Sequence, residues 1–411
     1  MTPRWTLGRV LPCLMLIAIA IEVTLRLVAF SLFADRPYEA LRDLHTSDGP
    51  FKPNAEYHTA RSYGDLAALG NLPERRLYHR VDFATDAFGF HNAPSTADVP
   101  WAGILFGDSF AIGAEVPEEK ALSVQLSTLF SGPIYNAGGY LPLDIERLRK
   151  LSAELRLHRG VFLYEFHEAH LKEIPPLSAS SLPTWRHKLE LRVLGPTGTL
   201  RLKEALASLS ELRLSFIAQK FVKSVENDAH VPDDLAGRVI EGRLRNGDWM
   251  LFLRSRTEPV DSPEAAINRW ADFFLWLSGE LGREGLELVV IIVPDSSTVY
   301  APLLASPTVS STGEVLLGQL EGRLRHGRVP VVNVTPAFRA AASQLAERHQ
   351  YLYWQDDTHW NACGVTIATA EFRAQLSGLL HLPRVWSQDS NSRSQFNCES
   401  QQMAQNSTDC P

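Results

Sequence analysis

From residue 101 onward the chain alternates short apolar runs with stretches whose apolar positions recur every three or four residues. Residues 102–106 are apolar and end at Gly107-Asp108; residues 117–130 then place Ala121, Val124, Leu126 and Leu129 at helical spacing. The pattern predicts strand, tight turn and helix. A second run over 133–135 ends at Asn136-Ala137-Gly138-Gly139, and an amphipathic stretch follows over 143–157. Further strands are predicted at 161–164, 288–293 and 329–334, and a last helix at 366–380. Strands separated by helices imply an α/β domain whose parallel sheet is covered on both faces.

Elsewhere the alternation fails. Residues 34–100 are polar and Pro-rich and are expected to form an irregular approach segment. Residues 172–265 lose the strand pattern and become helical and charged, with Pro175, Pro176, Pro183 and Pro196 at their start, so a helical insertion or lid is expected there. The Ser-, Gln- and Asn-rich residues 384–411 have too few large apolar side chains to fold and are expected to be disordered. Residues 10–33 are mostly apolar, with Glu22 and Arg26 as their only charges, and this reaches the ~20 residues that a bilayer-spanning helix needs. Those two charges stand four apart and can pair on one helical face. Arg4 and Arg9 precede the stretch, which predicts a cytoplasmic N-terminus and an outward-facing remainder. The expectation is an uncleaved, single-pass inner-membrane anchor over 10–33, with one periplasmic catalytic domain over 101–383.

Composition narrows the function. Hydrophobic residues make up 45% and charged residues 21%, which suits a globular domain. The net charge of -7 has no basic stripe within it, so no nucleic-acid partner is expected. Cys13, Cys363, Cys398 and Cys410 lack zinc-ligand spacing, and only Cys398 and Cys410 lie close enough for a local bridge. His167, Glu168 and His170 also lack a metal-binding spacing; structural or substrate-contact roles are expected, with no metal and no cofactor. Trp270, Phe273, Phe274, Trp276 and Leu277 read as one core-facing helix stripe.

Two segments carry candidate chemistry. Ser109, in Gly107-Asp108-Ser109-Phe110, falls where a strand ends and a helix begins, the place at which open parallel sheets set their ligands. Either Asp108 or Ser109 can instead cap that helix. Near the other end, Asp356-Asp357-Thr358-His359-Trp360 offers an imidazole with carboxylates two and three residues upstream. A serine hydroxyl needs a base to take its proton, and the base needs an acid to hold its tautomer. Ser109, His359 and one of the two aspartates supply those roles.

Together these segments resemble the SGNH, or GDSL-type, hydrolase superfamily, and most of all its AlgX/AlgJ-like group, associated with O-acetylation of exported polysaccharide. Residues 83–90, the Pro294 to Tyr300 spacing and Glu22 with Arg26 support the narrower likeness, which covers about residues 80–170 and 285–375. The resemblance implies a flavodoxin-like three-layer α/β/α sandwich with Ser109 as nucleophile and His359 as base. It favours Asp357 as the acid, with Asp356 as the alternate. Oxyanion and substrate contacts are expected from Asn136, from Gly138 or Gly139, and from Trp360. The Gly-x-Asn-Asp block of ordinary members is absent: residues 161–168 contain no asparagine, and Asp295-Ser296-Ser297 stands where the group has a charged residue. The function implied is an O-acetyltransferase or acetylesterase acting on a polysaccharide, with a membrane-bound O-acyltransferase as partner. A small-molecule esterase or lipase, and a catalytically silent glycan-binding component of an export complex, are the alternatives.

Overall fold

The computed structural model describes residues 7–26, 36, 40–42, 49–70, 72–93, 99–130, 132–139, 143, 145–175, 238–309 and 312–376. The chain divides into two compact units, residues 1–35 with 180–232 and residues 36–179 with 233–411. In the first, one helix is described, α1 (Leu7–Arg26). Its twenty residues include Arg9, Glu22 and Arg26, and no helix among the described residues is long and apolar enough to cross a membrane. The expected transmembrane anchor over 10–33 is corrected on that ground: charges at both ends shorten the apolar stretch, and residues 27–33 lie outside the described ones.

The second unit opens with β1 (Glu56–Ser62), the short helix α2 (Asp65–Leu69) and β2 (His79–Ala84). β1 and β2 pair antiparallel, so the approach segment is more ordered than its composition suggests. Then come β3 (Gly103–Phe106), α3 (Ser109–Ile112), α4 (Leu122–Ser127), β4 (Ile134–Asn136), α5 (Ile145–Glu154) and β5 (Gly160–His167). After the insertion follow β6 (Val239–Arg243), β7 (Trp249–Leu253), α6 (Arg254–Thr257), α7 (Pro263–Arg283), β8 (Leu286–Val293) and α8 (Ser296–Tyr300). The chain closes with α9 (Gly313–His326), β9 (Val331–Asn333), α10 (Thr335–Ala346) and α11 (Ala362–Leu376).

The five central strands lie in the order β4-β3-β5-β8-β9, all parallel. Counted within the sheet this is 2-1-3-4-5, a doubly wound order in which the chain leaves β3 first to one side and then to the other. The crevice beyond the carboxyl end of β3 is therefore the topological switch point. Side chains alternate across the strands as pleating requires. Leu105, Leu163, Val289, Ile291 and Val332 pack on one face beneath α4, α10 and α11. Ile104, Phe162, Tyr164, Val290 and Val331 pack on the other beneath α5, α7 and α9. Each fully buried large apolar side chain contributes about 1.5–3 kcal/mol. The stripe on α7 behaves as core: Trp270, Phe273, Phe274 and Leu277 are buried, and Trp276 remains partly exposed.

Two further readings change. Residues 239–253 were expected to be helical, yet β6 and β7 form an antiparallel pair turned through Asn246-Gly247-Asp248, where Gly247 takes φ 93°. The predicted helix 117–130 is shorter, with a single 3₁₀ turn over Glu118–Lys120 before α4. Residues 176–237 of the insertion, the tail over 384–411 and the suggested Cys398–Cys410 bridge lie outside the described residues. Cys363 is disulfide-bonded, whereas Cys13 is free.

Candidate active site

The turn after β3 is built around one close approach. A Cβ on Gly107 would meet Glu165 Oε2 at 2.5 Å, so only glycine lets the chain turn there. The next residue caps α3: Asp108 accepts from the Phe110 amide at 2.8 Å. With Asp108 as the cap, the Ser109 side chain is left for other work. Its hydroxyl donates to His359 Nε2 at 2.7 Å.

His359 sits on a tight loop between Leu352 and Asn361. Tyr353 and Trp360 pair across it, the Trp354 amide donates to the His359 carbonyl at 3.2 Å, and the Asn361 amide donates to the Leu352 carbonyl at 2.9 Å. Asn361 also caps α11, accepting from the Cys363 and Gly364 amides. This moves the start of the helix ahead of the predicted residue 366. The Pro294 to Tyr300 segment grips the base of the loop. The Tyr353 hydroxyl donates to the Pro294 carbonyl at 2.5 Å, and the Tyr300 hydroxyl accepts from the Leu352 amide at 2.8 Å.

The two candidate acids part company on this loop. Asp357 Oδ1 lies 2.5 Å from His359 Nδ1 and accepts from the His359 amide at 2.8 Å. Asp356 Oδ2 instead accepts from the Gly64 and Leu77 amides, both at 2.8 Å. Asp357 is thus the carboxylate against the imidazole, and Asp356 ties the loop to the β1–β2 segment. Burial lowers the pKa of His359, but the charge and hydrogen bond of Asp357, with the charge of Asp65 behind them, outweigh it and raise the ring to about 9. Burial works against ionisation of Asp357 as well; the His359 charge and the hydrogen bonds override it and hold the carboxyl well below its ordinary range. An imidazole with its Nδ1 proton held by a carboxylate presents the Nε2 lone pair to a hydroxyl, which is the arrangement for general-base activation of serine.

The residues expected to contact an oxyanion or substrate are placed differently. The Gly138 amide donates to Asn136 Oδ1 at 2.9 Å, and the Gly139 amide donates to the Gly107 carbonyl at 2.8 Å, so both are already engaged. Asn136 donates to the Ala111 and Ile112 carbonyls and braces β4 against α3. Trp360 is buried and packs edge-on against Phe110 at 5.4 Å, so it supports the site from below. The Ser109 amide, at the first position of α3, donates to no protein acceptor among the described residues.

The histidine cluster lies beneath the nucleophile turn. His170 stands between Asp108 at 3.2 Å and Glu173 at 2.9 Å. With a carboxylate at each nitrogen the ring holds both protons. Burial lowers its pKa, but the bonds to Asp108 and Glu173 carry it to about 10. His167 stacks on Phe110 at 4.2 Å and faces Asp295 at 3.2 Å. Arg256 donates to the same Asp295 oxygen at 2.9 Å, and Glu168 accepts from the Asp295 amide and the Thr298 hydroxyl. Sequence spacing placed the two histidines near one another but not their partner Arg256, which arrives from α6. Both nitrogens of His170 and Nε2 of His167 face carboxylates, and His167 Nδ1 accepts from the Ala169 amide at 3.4 Å, which fits the structural role. Asp65, Asp357 and His359 bring one ligand atom each within 4.8 Å of one another, but these atoms face each other across N–H and O–H groups, an arrangement that suits protons.

Asp65 is the residue of this site that sequence reasoning missed. It follows Gly64 at the start of α2, in a segment with no clear period, and only its place ahead of Leu66-Ala67 marks it as a helix start.

Residues 243–405 match the family model described as the SGNH hydrolase-like domain of acetyltransferase AlgX. The matched span holds Asp357 and His359 and begins well after Ser109. No curated protein matches the chain. A solved crystal structure aligns with 69% of this chain and 98% of its own at 13% identity, with a TM-score of 0.31, too loose a likeness to carry an argument.

Proposed function

We propose that this chain, whose residues 243–405 match the SGNH hydrolase-like domain of acetyltransferase AlgX, is a serine-dependent O-acetyltransferase or acetylesterase that works on an exported polysaccharide. The observation that carries the reading is the run Ser109 Oγ to His359 Nε2 at 2.7 Å and His359 Nδ1 to Asp357 Oδ1 at 2.5 Å. Ser109 Oγ attacks the acyl carbonyl carbon as its proton passes to His359 Nε2. The tetrahedral intermediate then collapses: the bond to the leaving oxygen breaks, and that oxygen takes the proton from His359. The acyl group is left on Ser109. In the second half a sugar hydroxyl, or water, gives its proton to His359 and attacks the acyl carbon; the bond to Ser109 Oγ then breaks as His359 returns that proton to Oγ, restoring the free serine.

The Ser109 amide is the backbone donor closest in sequence to the developing oxyanion. Losing one oxyanion donor costs about 10²–10³ in rate, and both glycine amides of the β4 turn are occupied. A modest intrinsic rate is therefore expected, and the same observation favours a second reading in which the chain holds a glycan without turning it over. A disulfide at Cys363 supports an oxidising compartment such as the periplasm, and family resemblance supports a membrane-bound O-acyltransferase as source of acetyl groups.

The test is to incubate the protein with an activated acetyl ester, with and without acetyl-free oligosaccharides. Acetylated oligosaccharide supports transfer to glycan. Ester hydrolysis indifferent to every glycan supports a plain esterase. Absence of any turnover, with oligosaccharide binding retained, supports the silent reading.

A further inference from the structure

We infer that Asp65 is a positioning residue that fixes the proton on His359 Nδ1 through the hydroxyl of Thr358. The inference rests on the reading of Ser109 as nucleophile and deepens it. Asp65 comes from α2, nearly three hundred residues before the base, yet it binds the acid loop at three points. Its amide donates to Asp357 Oδ2 at 2.7 Å. Its carboxylate accepts from the Thr358 amide at 2.8 Å and from the Thr358 hydroxyl at 2.6 Å.

The third contact decides a tautomer. Thr358 Oγ1 lies 3.3 Å from His359 Nδ1, and a threonine hydroxyl has one proton to give. Because that proton is committed to Asp65, the oxygen can meet Nδ1 only as an acceptor. Both neighbours of Nδ1, Asp357 Oδ1 and Thr358 Oγ1, then require a proton on Nδ1, and Nε2 keeps its lone pair for Ser109. Without the Asp65 carboxylate, the Thr358 proton is free to turn to Nδ1 and favour the tautomer that cannot accept from Ser109.

The surroundings hold Asp65 to this task. A Cβ on Gly64 would lie 2.0 Å from the Asp356 carbonyl oxygen, and the Leu66 and Ala67 amides donate to that same oxygen at 3.1 Å. The start of α2 and the acid loop are thus in backbone contact. Asp65 Oδ2 also lies 4.0 Å from His359 Nδ1, where its charge helps to keep the ring protonated. The charged groups acting on Asp65 are Asp357 and His359, with Arg256 facing it from α6; Glu115 adds its charge to His359.

The test follows single-turnover acetylation of Ser109 by an activated acetyl ester, read by intact mass, across pH. Asp65→Asn puts an amide N–H against the Thr358 hydroxyl and turns that proton toward His359. Acetylation is expected to slow about 10- to 10²-fold, a part of the 10²–10⁴ that a positioned base contributes, and its acid limb is expected to move to lower pH because a negative charge is gone. Thr358→Val alone should slow the wild type several-fold, whereas added to Asp65→Asn it should speed that variant several-fold, since no hydroxyl remains to misdonate. A purely structural Asp65 gives no such reversal of sign. If Asp65→Asn does not fold, Thr358→Ser and Thr358→Val make the comparison from the other side, with serine retaining the wild-type rate and valine not. Wild type that acetylates on Ser109 while Asp65→Asn matches it in rate and acid limb, or while Thr358→Val behaves alike in both backgrounds, overturns the role of Asp65 alone. Wild type that never acetylates on Ser109 overturns the nucleophile itself and this inference with it.

Discussion

Replacing Asp357 by asparagine removes one charge and one acceptor from the most crowded carboxylate of the site. Three N–H groups face it: the amide and Nδ1 of His359 on Oδ1, and the Asp65 amide on Oδ2. Asparagine offers one oxygen, so it keeps that oxygen toward the two donors of His359 and turns its NH₂ against the Asp65 amide. One buried N–H then loses its acceptor, at about 1–3 kcal/mol of stability. The loss of charge bears on the rate. The rise of the imidazole from 6.5 to about 9 is worth about 3 kcal/mol of preference for the charged ring, and Asp357 is its largest favourable source. The transition state carries an imidazolium, so losing that preference slows acylation by about 10². If the amide turns the other way and donates to Nδ1, the wrong tautomer brings the loss to about 10⁴, as in other sites of this kind. The assay is the initial rate of acetyl release from an activated ester, with thermal unfolding measured on the same samples. Asp357→Asn within tenfold of wild type would refute the assignment of Asp357 as the acid.

Two further outcomes follow from the same geometry. The free protein must carry a neutral His359 to accept the Ser109 proton, and its pKa lies at about 9; the acylation rate is therefore expected to rise with pH, pass half its plateau near 9 and level off above it, and a bell centred on neutrality in a pH–rate profile would contradict this. Gly64→Ala forces the β1–β2 segment off the acid loop, because the added Cβ would sit 2.0 Å from a backbone oxygen; a fall of about 2–4 kcal/mol in denaturant-derived stability together with lost acylation is expected, and a variant with wild-type stability and rate would show that the contact is dispensable.

The meeting of Ser109 with His359 was legible because each lies within a few residues of an apolar strand or a helix start, where local pattern fixes placement. Gly107-Asp108-Ser109 follows β3, and Asp357-Thr358-His359 precedes the Asn361 cap of α11. The parallel sheet was legible for the same reason: β3, β5 and β8 are buried on both faces and carry unbroken apolar runs over 103–106, 161–164 and 288–293. Asp65 was hidden because its partners are remote in sequence and α2 is only five residues long. The glycines after Asn136 were assigned by resemblance, and the geometry shows why that did not suffice: a side chain and a carbonyl already take their amides. The β6–β7 pair did carry a local signal, Asn246-Gly247 just ahead of the apolar run 249–253, which the charged surroundings obscured.

The central claim is that the Ser109 hydroxyl is activated by an imidazole 2.7 Å away. A fluorophosphonate probe tests it most directly, because it reacts only with a hydroxyl whose proton a base can take. The account predicts one adduct per chain, mapped by peptide mass to Ser109, abolished in Ser109→Ala and strongly slowed in His359→Ala. A folded wild-type protein that takes no label, or one labelled equally well after Ser109→Ala, would contradict it.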